Sequence, residues 1–237
     1  MKGLLHRSAY LIAPLAALLF LLAACGGDEE TSSTASPRST VAPTVAASAQ
    51  PSQPAACKSP SLTAPEVTVK QYDKAPDMTI DAAKKYTAIV KTVRGDFTIE
   101  LWPDLAPQHV NSFVFLARDH YFDGVTFHRV IPGFVAQAGD PTGTGSGGPG
   151  YTLPAEFTDE PYIRGVVGMA RSSDPNSAGS QWFVTYANAA NLNGAYTVFG
   201  KVTQGMDVVD CITPRDPSRN PNLPTGDAII SIEVQEQ

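Results

Sequence analysis

The side chains able to do chemistry are few, and their spacing excludes more than it suggests. His109, His120 and His128 sit in different kinds of segment, and four histidines in the whole chain offer no metal-ligand spacing. The run 143–150, Gly-Thr-Gly-Ser-Gly-Gly-Pro-Gly, has the glycine density of a phosphate cradle. It lacks the Lys-Ser/Thr and the helix that must follow, and reads as a flexible loop. Ser172-Ser173-Asp174 has no histidine partner in any hydrolase context. No metal and no cofactor is expected from these residues. What remains is residues 127–140, Phe-His-Arg-Val-Ile-Pro-Gly-Phe-Val-Ala-Gln-Ala-Gly-Asp, which sets one arginine and one glutamine among apolar side chains. Taken singly, Arg129 is a solvated ion-pair residue, Phe134 is core, and His128 is a structural, hydrogen-bonded histidine and not a base.

Charge and composition narrow the field. The 237 residues carry 17 basic and 23 acidic side chains, a formal charge of −6, which argues against a nucleic-acid partner. Seven of the 20 prolines fall between residues 37 and 76, so the excess of proline is local. Residues 1–24 combine a basic start (Lys2, His6, Arg7) with an apolar run from residue 9, broken only by Pro14, and small residues at its end. That is a secretory signal and not a retained membrane helix. Its close, Leu22-Ala23-Ala24-Cys25, resembles the bacterial lipobox. This implies a diacylated Cys25, anchorage by two acyl chains and an extracytoplasmic, membrane-attached location. Residues 25–65, rich in Ser, Thr, Ala and Pro with no aromatic residue before Tyr72, cannot bury enough apolar surface to order themselves and read as a tether.

The elements that must position any site begin at residue 86. Residues 86–93 and 97–102 are β-branched and aromatic runs joined by Arg94-Gly95-Asp96, a β-hairpin. Pro107 opens a helix whose Val110, Phe113, Val114 and Ala117 share one stripe. Residues 125–135 read as a central strand pair broken at Pro132-Gly133. Further strands are expected at 165–170, 181–185, 197–202 and 228–234, with a short helix at 206–212. Many short strands and two or three short helices predict a mainly β domain over 86–237, a closed eight-stranded antiparallel barrel. Residues 66–85 form an N-terminal extension of it.

Residues 127–140, followed by Gly168-Met169-Ala170-Arg171, by Gly179-Ser180-Gln181-Trp182-Phe183-Val184, and by Leu192-Asn193-Gly194 with Val198-Phe199-Gly200-Lys201-Val202, closely resemble the cyclophilins, the peptidyl-prolyl cis-trans isomerases. The resemblance covers about 86–234 and implies the cyclophilin barrel. It implies that Arg129 is the hydrogen-bond donor to the prolyl nitrogen and that Gln137 orients it. It further implies that Phe134, Val135, Phe183 and Leu192 seat the proline, with Tyr196 where a histidine usually flanks the site. Ala170 and Arg171 match the strand that pairs with an extended peptide, and Gln181 lines the same groove. The partners so implied are proline-containing polypeptides, exported ones given the signal, met by a monomer. The alternative is a non-catalytic peptide-binding chaperone module at the cell surface.

The chain departs from the best-known members at several positions. Val135 replaces a methionine, Trp182 the first of two phenylalanines, and Asn191 the tryptophan that contacts cyclosporin, so cyclosporin binding is expected to be weak. With Cys25 lipidated, Cys57 and Cys211 remain as a pair, and a non-reducing location makes them candidates for a bridge from extension to domain.

Overall fold

Alternation of apolar and polar residues gives the first hairpin one buried face. A computed structural model of the chain describes residue 57, residue 60 and residues 62–237. The signal segment 1–24, Cys25 and most of the tether lie outside the described residues. Strand β1 (Tyr86–Thr92) buries Tyr86, Ala88, Val90 and Thr92, and β2 (Gly95–Leu101) buries Phe97, Ile99 and Leu101. Their register runs from Tyr86 opposite Leu101 to Thr92 opposite Gly95. Helix α1 (Pro107–Arg118) then lays His109, Val110, Phe113, Val114, Leu116 and Ala117 into the core.

Six further strands follow: β3 (Arg129–Ile131), β4 (Val135–Ala138), β5 (Val166–Met169), β6 (Trp182–Thr185), β7 (Val198–Gln204) and β8 (Ile229–Glu236). Helix α2 (Met206–Asp210) stops two residues short of the expected end, and Ala190–Leu192 form one 3-10 turn. Of the central pair expected over 125–135, only the second half forms strands; Thr126 makes an isolated bridge to Ala228. Trp182 occupies the middle of the core, edge-on to Phe113 at 5.9 Å and to Phe127 at 5.8 Å between ring centroids. Phe113 continues the cluster to Phe122 and Phe199, both at 5.3 Å.

One expectation is corrected. The strands are antiparallel and eight in number, in the order β3-β4-β6-β5-β7-β2-β1-β8, but the sheet curls into an open half-barrel, not a closed one. The cause is at its edges. Strand β3 is three residues long, and its outer side is taken by a loop through the bridge Val130–Arg215, while β8 pairs with β1. With β3 and β8 at opposite ends of the order, no ladder joins them.

Residues 66–85 form no regular element yet are seated on the domain. The side-chain oxygen of Asn111 accepts the backbone N–H groups of Thr79 (2.9 Å) and Ile80 (3.3 Å), and Ile80 is buried. Tyr72 packs edge-on to Phe115 at 5.2 Å and donates to Asp119 at 2.7 Å. Cys57 and Cys211 are joined by a disulfide, with Cα atoms 5.2 Å apart across 154 residues of sequence.

Helix α1 has no local cap, since Ala106 offers no side-chain acceptor. Glu156 replaces one from 47 residues away. Its carboxylate accepts the N–H groups of Gln108 and His109, each at 3.0 Å, and lies 2.6 Å from the His109 ring nitrogen Nδ1. Burial pushes this carboxyl up, but the bonds from His109 and the helix N–H groups outweigh it and hold it below the ordinary 4.5. A depressed carboxylate stabilises the fold above that value, and the contribution disappears as pH falls through the lowered one. Glu156→Ala is expected to cost about 2–4 kcal/mol, through the lost cap and the orphaned imidazole. In chemical denaturation, the stability gap between wild type and Glu156→Gln should be largest near neutral pH and shrink below about 4.5. A gap independent of pH would remove the ionised carboxylate from this role.

Candidate active site

Strand pairing alone puts the expected residues in a line. Arg129 on β3 stands opposite Gln137 on β4, Gln137 opposite Phe183 on β6, and Phe183 opposite Gly168 on β5. Directly paired residues share a face, so this row crosses four strands on one side of the sheet. Their neighbours Ala136, Ala138, Trp182 and Val184 point the other way, into the main core. Val135, Phe183 and Leu192 belong to a second apolar cluster with Tyr162, Val166 and Val198. They are 2%, 4% and 6% exposed, so they form a floor and not a deep hole. Phe134, Ala170 and Tyr196 pack against that floor and stay half exposed. Gly168 is required here: a Cβ would lie 2.1 Å from the Tyr162 hydroxyl and 2.8 Å from the Phe183 ring.

A chain of side-chain hydrogen bonds fixes the polar edge. Arg129 Nη1 donates to Gln137 Oε1 at 3.4 Å, and Gln137 Nε2 donates to Gln181 Oε1 at 2.9 Å. Gln181 Nε2 then donates to the carbonyls of Gly145 (3.0 Å) and Gly147 (2.9 Å). Each amide's oxygen faces the previous donor, so the direction of the whole chain is set by the arginine. The Gln137 contact is the one hydrogen bond the guanidinium makes among the described residues. Its carbon stands 5.7 Å from the Phe134 ring centre, so the remaining N–H groups flank the apolar floor.

Other expected residues have duties the sequence did not disclose. Arg171 is committed: its Nε donates to Ala195 O at 2.8 Å, its Nη1 to Ser172 O at 2.9 Å, and its guanidinium stacks on Tyr196 at 4.6 Å. It holds the segment carrying Tyr196, and only Nη2 makes no hydrogen bond among the described residues. The N–H of Ala170 is spent on Gln181 O at 2.9 Å. Gln181 is the link between Gln137 and the glycine run. That run is pinned to the groove, because Asp140 accepts the Thr142 N–H (2.7 Å), the Thr142 hydroxyl (2.7 Å) and the Gly145 N–H (2.6 Å). His128 is buried beside this loop, with the Thr126 backbone and the Asp140 carboxylate near its ring. Burial pulls its pKa below 6.5.

Asn191 is exposed on the 3-10 turn. Tyr162, which the sequence reading missed, supports the floor from below at 5.5 Å from Phe183 and is fully buried. No signal in its Pro-Tyr-Ile context sets it apart. No cluster of three or more metal-ligating side chains occurs among the described residues. Beyond Gln137 and Gln181 the groove opens into a depression of about 940 Å³, walled by the glycine run, Arg171 and Ser177.

Comparison with known proteins agrees with this geometry. The family model for cyclophilin type peptidyl-prolyl cis-trans isomerases matches residues 87–234. A probable peptidyl-prolyl cis-trans isomerase of Brucella suis is 47% identical over an alignment of 161 residues that covers 63% of this chain and 82% of that protein. Peptidyl-prolyl cis-trans isomerase B of Bacillus subtilis is 41% identical over 138 residues, 57% of this chain and 88% of that one. A cyclophilin type isomerase of Cryptosporidium parvum, solved in the presence of the dipeptide Ala-Pro, superposes with a TM-score of 0.58 at 34% identity, covering 64% of this chain and 99% of that chain. With the row Arg129–Gln137–Phe183 in place and most of the chain matched, the protein belongs to the cyclophilin-type peptidyl-prolyl cis-trans isomerases.

Proposed function

We propose that this isomerase turns X–Pro bonds in exported polypeptides from the outer side of a bacterial membrane, with Arg129 as the donor that lowers the barrier. Rotation about the bond costs about 18–20 kcal/mol because amide resonance must be broken. In the twisted transition state the nitrogen regains its lone pair, which a fixed donor favours over the planar ground state. The guanidinium supplies such a donor, always charged and rigid in outline. One of its nitrogens is held by Gln137, and its free donors stand beside the floor of Val135, Phe183 and Leu192 that would seat the proline ring. That juxtaposition carries the reading. No proton moves in the step, so no general acid or base is called on. The Ala-Pro dipeptide present with the Cryptosporidium relative supports a proline-containing substrate.

The exported setting rests on the lipobox-like Leu22-Ala23-Ala24-Cys25. The Cys57–Cys211 bridge supports it, since such bonds persist outside reducing compartments. In this reading lipid at Cys25 anchors the chain, and residues 25–65 hold the domain off the surface.

Arg129→Ala should lower kcat/KM for X–Pro peptides ten-fold or more, about 1.4 kcal/mol of transition-state stabilisation. Circular dichroism should show the fold unchanged, and a folded mutant with full activity would sink the donor assignment. The rate should also be nearly flat between about pH 6 and 8. No step titrates there, and burial pulls the pKa of His128, the histidine next to the arginine, below its ordinary value. A pronounced bell in that interval would bring a titrating group into the mechanism. Finally, Cys25→Ala should move the protein from the membrane to the soluble fraction of cells, and retention in the membrane would refute the lipid anchor.

A further inference from the structure

The segment ahead of β1 reaches the active-site groove. Residues 70–72 lie along the glycine run: the Tyr72 N–H donates to Pro149 O at 2.8 Å, and Gln71 Nε2 donates to Gly148 O at 2.7 Å. Gly150, at φ +95°, makes the approach feasible, since a Cβ there would stand 2.6 Å from Tyr72 O and 3.1 Å from Gln71 Oε1. The seating is firm on its other side too. Asp119 receives the Tyr72 hydroxyl at 2.7 Å and the Lys70 ammonium at 3.1 Å.

The result is that Gln71 becomes part of the wall of the 940 Å³ depression that continues the groove past Gln137 and Gln181. Gln71 lies outside residues 87–234, the stretch shared with the family. The depression shares Gln137, Ala170, Arg171 and Gln181 with the groove, so an extended peptide whose proline sits on the apolar floor runs into it. A strand advances about 3.3 Å per residue, so a side chain only a few positions from the proline enters it. There it meets amides, hydroxyls and backbone carbonyls. No acidic side chain and no lysine lines the space; the one cation there, Arg171, disfavours a lysine, and the row of backbone carbonyls disfavours a carboxylate.

We propose that Gln71 is a specificity-determining residue of the isomerase, selecting substrates that carry, close to the proline, a neutral side chain able to donate a hydrogen bond. The inference rests on the isomerase reading above and adds the substrate class. Its carboxamide oxygen is available to a ligand, while the bonds from its amide nitrogen to Gly148 O (2.7 Å) and Lys70 O (3.1 Å) hold the side chain in place.

The test uses the full chain and a peptide series around one Ala-Pro bond, with each flanking position replaced in turn by Gln, Leu, Glu or Lys. Isomerisation is followed by NMR exchange, which needs no coupling protease, for wild type, Gln71→Lys and Gln71→Glu. At one flanking position, wild type should favour Gln over Leu and over both charged residues by about three-fold, the size of a partly exposed polar contact. At that position Gln71→Lys should raise the rate ratio of the Glu peptide to the Lys peptide by about two- to five-fold, and Gln71→Glu should invert it. An unchanged ranking in all three proteins overturns the proposal. So does an equal loss for every peptide, because Gln71 would then only brace the loop. Should wild type accelerate no peptide, the isomerase reading itself fails. Peptide affinities by calorimetry in the same three proteins would then decide whether Gln71 faces a bound side chain.

Discussion

Everything at this site depends on β4 and β6 having two different faces, and Trp182 enforces which is which. Its indole is wholly buried among Phe113 and Phe127, and it pairs with Ala138 and Met169. The side-chain period of a strand is two, so a slip of one residue would drive the largest core side chain out and turn Phe183 in. That cost locks the register. With it locked, Gln137 has no choice but to stand between Arg129 and Phe183, and the donor and the apolar floor are brought together by backbone pairing before any side chain chooses a rotamer. The catalytic face is therefore a consequence of how the opposite face packs.

The polar chain from Arg129 through Gln137 and Gln181 to the glycine run works in the same spirit. Each amide can be read in only one orientation, and the run that receives the last bond is itself shaped by the Asp140 carboxylate. Burial pushes that carboxyl up, yet the bonds from Thr142, Gly147 and Gly145 prevail and leave it below 3.8. An ionised, fully bonded Asp140 thus organises a loop that has almost no side chains of its own, and the loop in turn organises the glutamines.

Local pattern made much of this legible. The alternation in 86–101, the stripe from Val110 to Ala117 and the turn residues between short strands gave elements that the structure matches closely, and the row from Arg129 to Phe183 lies inside the blocks that carried the family resemblance. What stayed hidden depends on distant partners. Whether a sheet closes is decided at its edges, and nothing near Val130 announces that a loop residue 85 positions on, Arg215, will occupy its outer side. The bonds of the Arg171 side chain stayed hidden because its acceptors, the carbonyls of Ser172 and Ala195, are backbone groups that no composition reveals. The cap of α1 comes from Glu156, and residues 66–85 are held by Asn111 and Asp119, so both were beyond any reading of adjacent residues.

The disulfide has a mechanical meaning. Cys57 is covalently joined to Cys211, directly after α2, while residues 62–85 reach β1 by a separate route across the surface. A pull on the chain ahead of Cys57 therefore enters the domain at Cys211 and bypasses the intervening segment. The hydrogen bonds from Gln71 and Tyr72 to the glycine run, and from the Thr79 and Ile80 N–H groups to Asn111, would otherwise be loaded in turn. With the covalent link in front of them they carry none of that force. The wall they build along the groove is shielded from tension in the leading chain.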